Sequence, residues 1–115
     1  PMALSKILSR LPADAPFATV VIQHLNEEFL PGLVRWLDGQ VSLNVRAAKE
    51  GEHPQPACVY LPERGAHLTL DRNRCFSYLS DSTYSFFKPS IDMFFHSAAA
   101  YWPKASIGVL LTGMG

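Results

Sequence analysis

Residues 17–24 read FATVVIQH. Thr19, Val20, Val21 and Ile22 form an unbroken β-branched run, the composition of a strand covered on both faces rather than on one. A strand of that kind belongs inside a parallel sheet. Parallel strands need crossover connections, and the neighbouring segments supply them. Upstream, PMALSKILSRL (1–11) spaces Leu4, Ile7, Leu8 and Leu11 along one helical face, with Pro1 suited to the first turn. Downstream, NEEFLPGLVRWLDG (26–39) sets Leu30, Leu33, Val34 and Leu37 on another. Pro31 favours a turn over Asn26 to Phe29, a helix from about Pro31, and an end at Gly39. VSLNVRAA (41–48) alternates like a half-buried strand, and KEGEHPQP (49–56) is a loop.

The middle of the chain changes character. ACVYL (57–61), AHLTL (66–70) and CFSYL (75–79) are short strand patterns joined by the turn-rich links PERG and DRNR. Such spacing predicts an antiparallel hairpin or meander at a sheet edge. PSIDMFFHSAAAYW (89–102) reads as a helix with Ile91, Phe94, Phe95, Ala98 and Trp102 inward, stopped by Pro103. ASIGVLLTG (105–113) reads as a last strand running into a Gly-Met-Gly turn. The order predicts one α/β domain. Its sheet is doubly wound and mostly parallel, with helices on both faces and an antiparallel hairpin at one edge.

Composition narrows the function. The chain has 115 residues, 48% of them hydrophobic, and a net charge of zero with histidines neutral. That is enough for a core and leaves no basic stripe for nucleic acid. No apolar run approaches the roughly 18 residues that a membrane span needs, and the first residues open directly into a helical pattern with no signal peptide. Cys58 and Cys75 lie in strand-like runs without CxxC spacing and read as a buried, reduced pair of a cytoplasmic protein. No histidine stands at metal-ligand spacing from another ligand type, so a zinc site is excluded. GxGxxG and GxxxxGK[ST] are both absent, which removes the common nucleotide motifs. The reading needs no cofactor.

Open α/β sheets place their sites beyond the carboxyl ends of the parallel strands. Two segments arrive there with usable chemistry. His24 follows the first strand, and the backbone N–H groups of the TGMG turn could hold an oxyanion. His24 alone reads either as a strand-end cap or as a general base. His53 sits in a polar loop, His67 opens a short strand and His96 lies mid-helix. Ser90 and Asp92 suit the first turn of the helix behind Pro89, and Glu27 and Glu28 decorate the earlier helix start. Phe86, Phe87, Phe94 and Phe95 read as core.

Taken together, VVIQHLNEEF, AKEGEHPQPACVYLPERGAHLTL, KPSIDMFFHSAA and IGVLLTGMG resemble the catalytic domain of the CheB-type protein-glutamate methylesterases, in that family's order and close to its spacing. PGLVRWLDGQ is similar to the branch serving surface-sensing pathways. The resemblance implies hydrolysis of γ-glutamyl methyl esters on chemoreceptor-type proteins, and deamidation of certain glutamines, by a Ser-His-Asp mechanism. It implies His24 as the catalytic histidine and the turn around Met114 as part of the oxyanion site. It also implies substrate contacts at Lys88 and Ser90. Lys88 stands where the family usually has Arg, with Phe87 where a His often precedes it, and Lys lacks the bidentate fork.

By family spacing, the serine would precede Pro1 and the aspartate would follow Gly115. The chain is therefore expected to be the central part of one methylesterase domain, inactive by itself. Its expected partners are a methyl-accepting receptor as substrate and a receiver domain elsewhere in the full-length protein. The competing expectation is a non-catalytic binding module of a bacterial signalling pathway that keeps the esterase fold.

Overall fold

The computed structural model describes residues 2–23, 26–79, 91–102 and 106–109. In chain order the elements are α1 (Met2–Leu8), β1 (Thr19–Val20), a 3-10 turn (Glu27–Phe29), α2 (Leu30–Asp38), β2 (Asn44–Ala48), β3 (Cys58–Pro62), β4 (His67–Leu70), β5 (Phe76–Leu79) and α3 (Ile91–Tyr101). β1, β3 and β2 form a parallel sheet in that spatial order. β4 and β5 form an antiparallel pair of their own, with Leu68 opposite Tyr78.

β3 is the centre of the structure. All five of its residues are buried, and side chains alternate across a strand. Val59 and Leu61 join Leu8, Ala15, Leu37, Leu43 and Val45 on the face covered by α1 and α2. Cys58 and Tyr60 join Ala48, Leu68, Leu70, Phe76 and Phe94 on the face covered by the hairpin and α3. Tyr60 and Phe76 meet ring to ring at 4.9 Å. The molecule is thus layered: helices, parallel sheet, hairpin, helix. α3 is held to the hairpin by Ser97, whose hydroxyl accepts the Leu70 N–H at 2.9 Å and donates to the Phe94 carbonyl.

Several local expectations change. ACVYL pairs with neither of the strands that follow it; it is the interior parallel strand β3. The hairpin is confined to β4 and β5 and covers a sheet face, not an edge. PERG is short, yet it carries the chain into another layer. Only Thr19 and Val20 of the first strand pattern are laddered, with the Val21 N–H adding one bond to Tyr60 at 2.9 Å. Ile7, Ile91 and Phe95 point outward, although the helical pattern placed them inside. Cys75 precedes β5 and is half-buried, Cys58 is buried, and both thiols are free. Of the last expected strand, 106–109 are described and form none; Ile107 is 91% exposed. The remainder lies outside the described residues.

Turns at the sheet ends are specified by single residues. Gly51 takes φ +81°, a left-handed conformation open to glycine, and its N–H reaches the Phe76 carbonyl at 2.8 Å. Ala57 takes φ +64° just ahead of β3. Its N–H donates to Phe17 and its carbonyl accepts from Asn44, so one residue ties the approaches to β1 and β2 together. Gly39 ends α2 with φ −76°, so its place is not set by a left-handed turn. Asp38 then accepts the Val45 N–H at 2.9 Å and fixes the helix to the start of β2.

Tyr78 locks the two sheets together. Its hydroxyl accepts the Glu63 N–H at 2.7 Å and donates to the Ala48 carbonyl at 2.5 Å. It therefore spans the outgoing ends of β3 and β2 from β5. Burial pushes its phenol up to about 12, partly opposed by the Glu63 N–H.

Two outcomes follow. Leu61→Ala opens a cavity in a fully buried site and should cost about 2–5 kcal/mol in denaturant unfolding. Tyr78→Phe orphans one N–H and one C=O and should cost about 1–3 kcal/mol near neutral pH. The folded phenol holds its proton more tightly than the unfolded one. Its contribution is complete below pH 10 and lost as pH rises towards about 12. The stability gap between wild type and Tyr78→Phe should narrow across that window in a pH series of urea melts.

Candidate active site

Three parallel strands deliver three loops to one end of the sheet. The first loop leaves β1 through Val21, Ile22 and Gln23, all half-buried. It resumes at Asn26, whose backbone is extended (φ −62°, ψ 139°) and whose carbonyl accepts the Phe29 N–H at 2.9 Å. The second leaves β2 through Lys49, Glu50 and Gly51, and the third leaves β3 through Glu63, Arg64, Gly65 and Ala66. His24 falls in the first loop but is itself outside the described residues, as are Lys88, Ser90 and Met114. The strands thus place the flanks of position 24, while the roles of all four residues rest on sequence.

What the described residues do show at this end is a braced rim. Glu63 pairs with Arg64 at 2.9 Å and with Lys49 at 3.7 Å. The Arg64 guanidinium lies 4.6 Å from the centre of the Tyr78 ring. Its hydrogen bond to Glu63 raises the Arg64 pKa further, so it stays a cation throughout the ordinary range. Glu50 accepts the Tyr78 N–H at 3.1 Å, and Glu27 accepts the Gly65 N–H at 2.7 Å. Acidic and basic side chains alternate here, with no basic cluster suited to a polyanion. The ion pairs are partly solvated and set loop geometry more than stability.

The described histidines take other duties. His53 is exposed in its polar loop, with its ring 5.7 Å from that of Trp102. His67 is buried in β4, and His96 is exposed on α3. Among the described residues no three His, Cys, Asp or Glu side chains gather to hold a metal, and no helix is long and apolar enough to cross a membrane.

Sequence reasoning missed the rim. PERG was read as a link between strands, and Glu27 as ornament on a helix start. Tyr78 was simply one of the residues in a strand. No spacing rule connects residues 38 apart, as Glu27 and Gly65 are. Only the sheet order brings them together.

A family model described as CheB methylesterase matches residues 1–115. Among curated relatives, the protein-glutamate methylesterase/protein-glutamine glutaminase 2 of Burkholderia orbicola is 44% identical over all of this chain and 34% of its own length. The protein-glutamate methylesterase/protein-glutamine glutaminase 1 of Cupriavidus pinatubonensis is 45% identical over the same shares. The group 3 operon protein of Pseudomonas putida, which carries the same enzyme name, is 44% identical. The chain spans about a third of the length of these relatives. Among solved structures, the CheB methylesterase catalytic domain of Thermotoga maritima superposes with a TM-score of 0.79 at 30% identity, over 88% of this chain and 56% of that one. A mixed α/β fold and a sequence match over all 115 residues agree, and the chain belongs to the CheB methylesterase family.

Proposed function

We propose that the protein hydrolyses γ-glutamyl methyl esters, and deamidates glutamines, on a methyl-accepting receptor of a bacterial signalling pathway. The family match over all 115 residues carries this reading, and the two activities in the relatives' names supply its two reactions. The parallel sheet supports it physically. β1 and β3 run the same way, so the backbone next to position 24 leaves at the end where such sheets hold their ligands.

In the proposed mechanism His24 is the general base. It takes the proton of a serine as the serine oxygen attacks the ester carbonyl, and returns it to the departing methanol. It then takes a proton from the water that attacks the acyl-enzyme and delivers it to the departing serine oxygen, releasing glutamate and restoring the serine. An aspartate holds the imidazole in the required tautomer. Backbone N–H groups around Met114 receive the oxyanion, and Lys88 and Ser90 contact the substrate. The serine and aspartate belong to flanking chain, with this sequence as the central part of the domain. Exposure of Ile107 and Val109, the neighbours of Gly108, which lies against the Phe95 ring, supports further covering structure there. A receiver domain in the full-length protein and a cytoplasmic location complete the proposal.

His24→Ala in the full-length enzyme should lower methanol release from methylated receptor by on the order of a millionfold in kcat, with the melting temperature nearly unchanged. A base acts only when neutral. Wild-type kcat/KM should therefore fall as pH drops through about 6.5, the ordinary imidazole value. A rate flat from pH 5 to 8, or turnover by His24→Ala within tenfold of wild type, would refute the assignment and favour a binding module.

A further inference from the structure

Glu27 opens the 3-10 turn, three residues after His24. An acidic side chain there ordinarily faces the first N–H groups of the helix that follows. This one reaches away instead. Its Oε1 accepts the backbone N–H of Gly65 at 2.7 Å, a short, charge-assisted contact. Asn26, at the start of the same turn, contributes no side-chain cap.

The bond matters because of what lies between it and the sheet. Two hydrogen bonds tie the described residues from Val21 to Phe29 to β3 and the loop that leaves it. One joins the Val21 N–H to the Tyr60 carbonyl at 2.9 Å, and the other is Glu27 with Gly65. Position 24 falls three residues after the first and three before the second. Both anchors end on one body, since Tyr60 is within β3 and Gly65 is in the loop leaving it. That loop is itself braced, by the Glu63 N–H on Tyr78 and by Arg64 over the same ring. Downstream, α2 is secured separately, by Leu30 and Leu37 in the interior and by Asp38 on Val45. Val21 and Glu27, three residues to either side of position 24 in the sequence, are thus fastened to β3 and to the loop leaving it.

We propose that Glu27 is a positioning residue: by holding the Gly65 N–H, its carboxylate fixes the 3-10 turn that begins three residues after His24 in the sequence against the loop leaving β3. The inference rests on the reading of His24 as the general base. Glu27 touches no reacting atom in this scheme. It limits the excursions of the base relative to the nucleophile, and small misplacements of a catalytic group cost rate rather than binding.

The test is a comparison of three variants in the full-length enzyme, read by methanol release from methylated receptor and by thermal melting. Glu27→Ala should lower kcat roughly tenfold, leave KM within about twofold, and move the melting temperature by no more than about 2 °C. Glu27→Gln keeps an acceptor oxygen and should return kcat to within about threefold of wild type. His24→Ala serves as the reference. If it is inactive while Glu27→Ala turns over like wild type, the positioning role is overturned and the base assignment stands. If Glu27→Gln is as impaired as Glu27→Ala, acceptance from Gly65 is not what matters. A drop in melting temperature beyond about 8 °C in Glu27→Ala makes the residue a support of the fold, which also overturns the proposal. Turnover by His24→Ala overturns both readings together.

Discussion

A strand buried on both faces must be satisfied by two different cores, and β3 sets that requirement for the whole chain. Val59 and Leu61 need α1 and α2 on one side, while Cys58 and Tyr60 need the hairpin and α3 on the other. Its backbone must also find partners along both edges, because no water reaches them. β1 and β2 supply those partners, and both run parallel to it. The direction of the loops follows from this. Once β1 and β2 flank β3 in parallel, the residues after each of the three strands emerge at one end, whatever their separation in sequence.

The parts of the fold that were legible are those in which local pattern and burial coincide. Leu30, Leu33, Val34 and Leu37 form a helical stripe and do pack inward. The turn before Pro31 is where proline chemistry puts it. ACVYL was misplaced because a run of five apolar residues carries no direction: periodicity cannot say whether its partner lies before or after it. The short PERG link favoured a hairpin, but the burial of Tyr60 and Leu61 on opposite faces demands an interior place. Phe95 and Ile91 misled for a different reason. α3 is apolar around most of its circumference, so several inward faces fit the sequence, and the contact of Ser97 with β4 decides among them. At the site, His24 itself lies outside the described residues, and only its chain position, just past a β-branched strand, was legible. Glu27, Glu63 and Tyr78 were not, since their partners are 38, 14 to 15 and 30 residues distant and reach them only through the sheet.

These long-range bonds have a common form. A side chain from one loop or strand satisfies a backbone group at the outgoing end of another: Tyr78 on Glu63 and Ala48, Glu27 on Gly65, Glu50 on Tyr78. Loop backbone lacks a ladder of its own, and such bonds replace it. The result is a rim whose geometry is set by the fold, which in the proposed reaction would reduce what must be ordered. Fold alone does not assign chemistry to a rim of this kind. Here the assignment comes from the family, and the structure explains how the framework around it is kept in shape.

Ala57 gives the arrangement an unexpected vulnerability. A left-handed alanine is a sparsely populated conformation, held here because its N–H and carbonyl are claimed from opposite sides by Phe17 and Asn44. Glycine, asparagine or aspartate could occupy it with less strain, whereas valine, isoleucine or threonine could not without displacing both neighbours. The permitted alphabet at this position is therefore set by torsion rather than by polarity or size. As the sequence diverges, mutational paths through a β-branched residue at position 57 are closed, even though the site is only half-buried and remote from the rim.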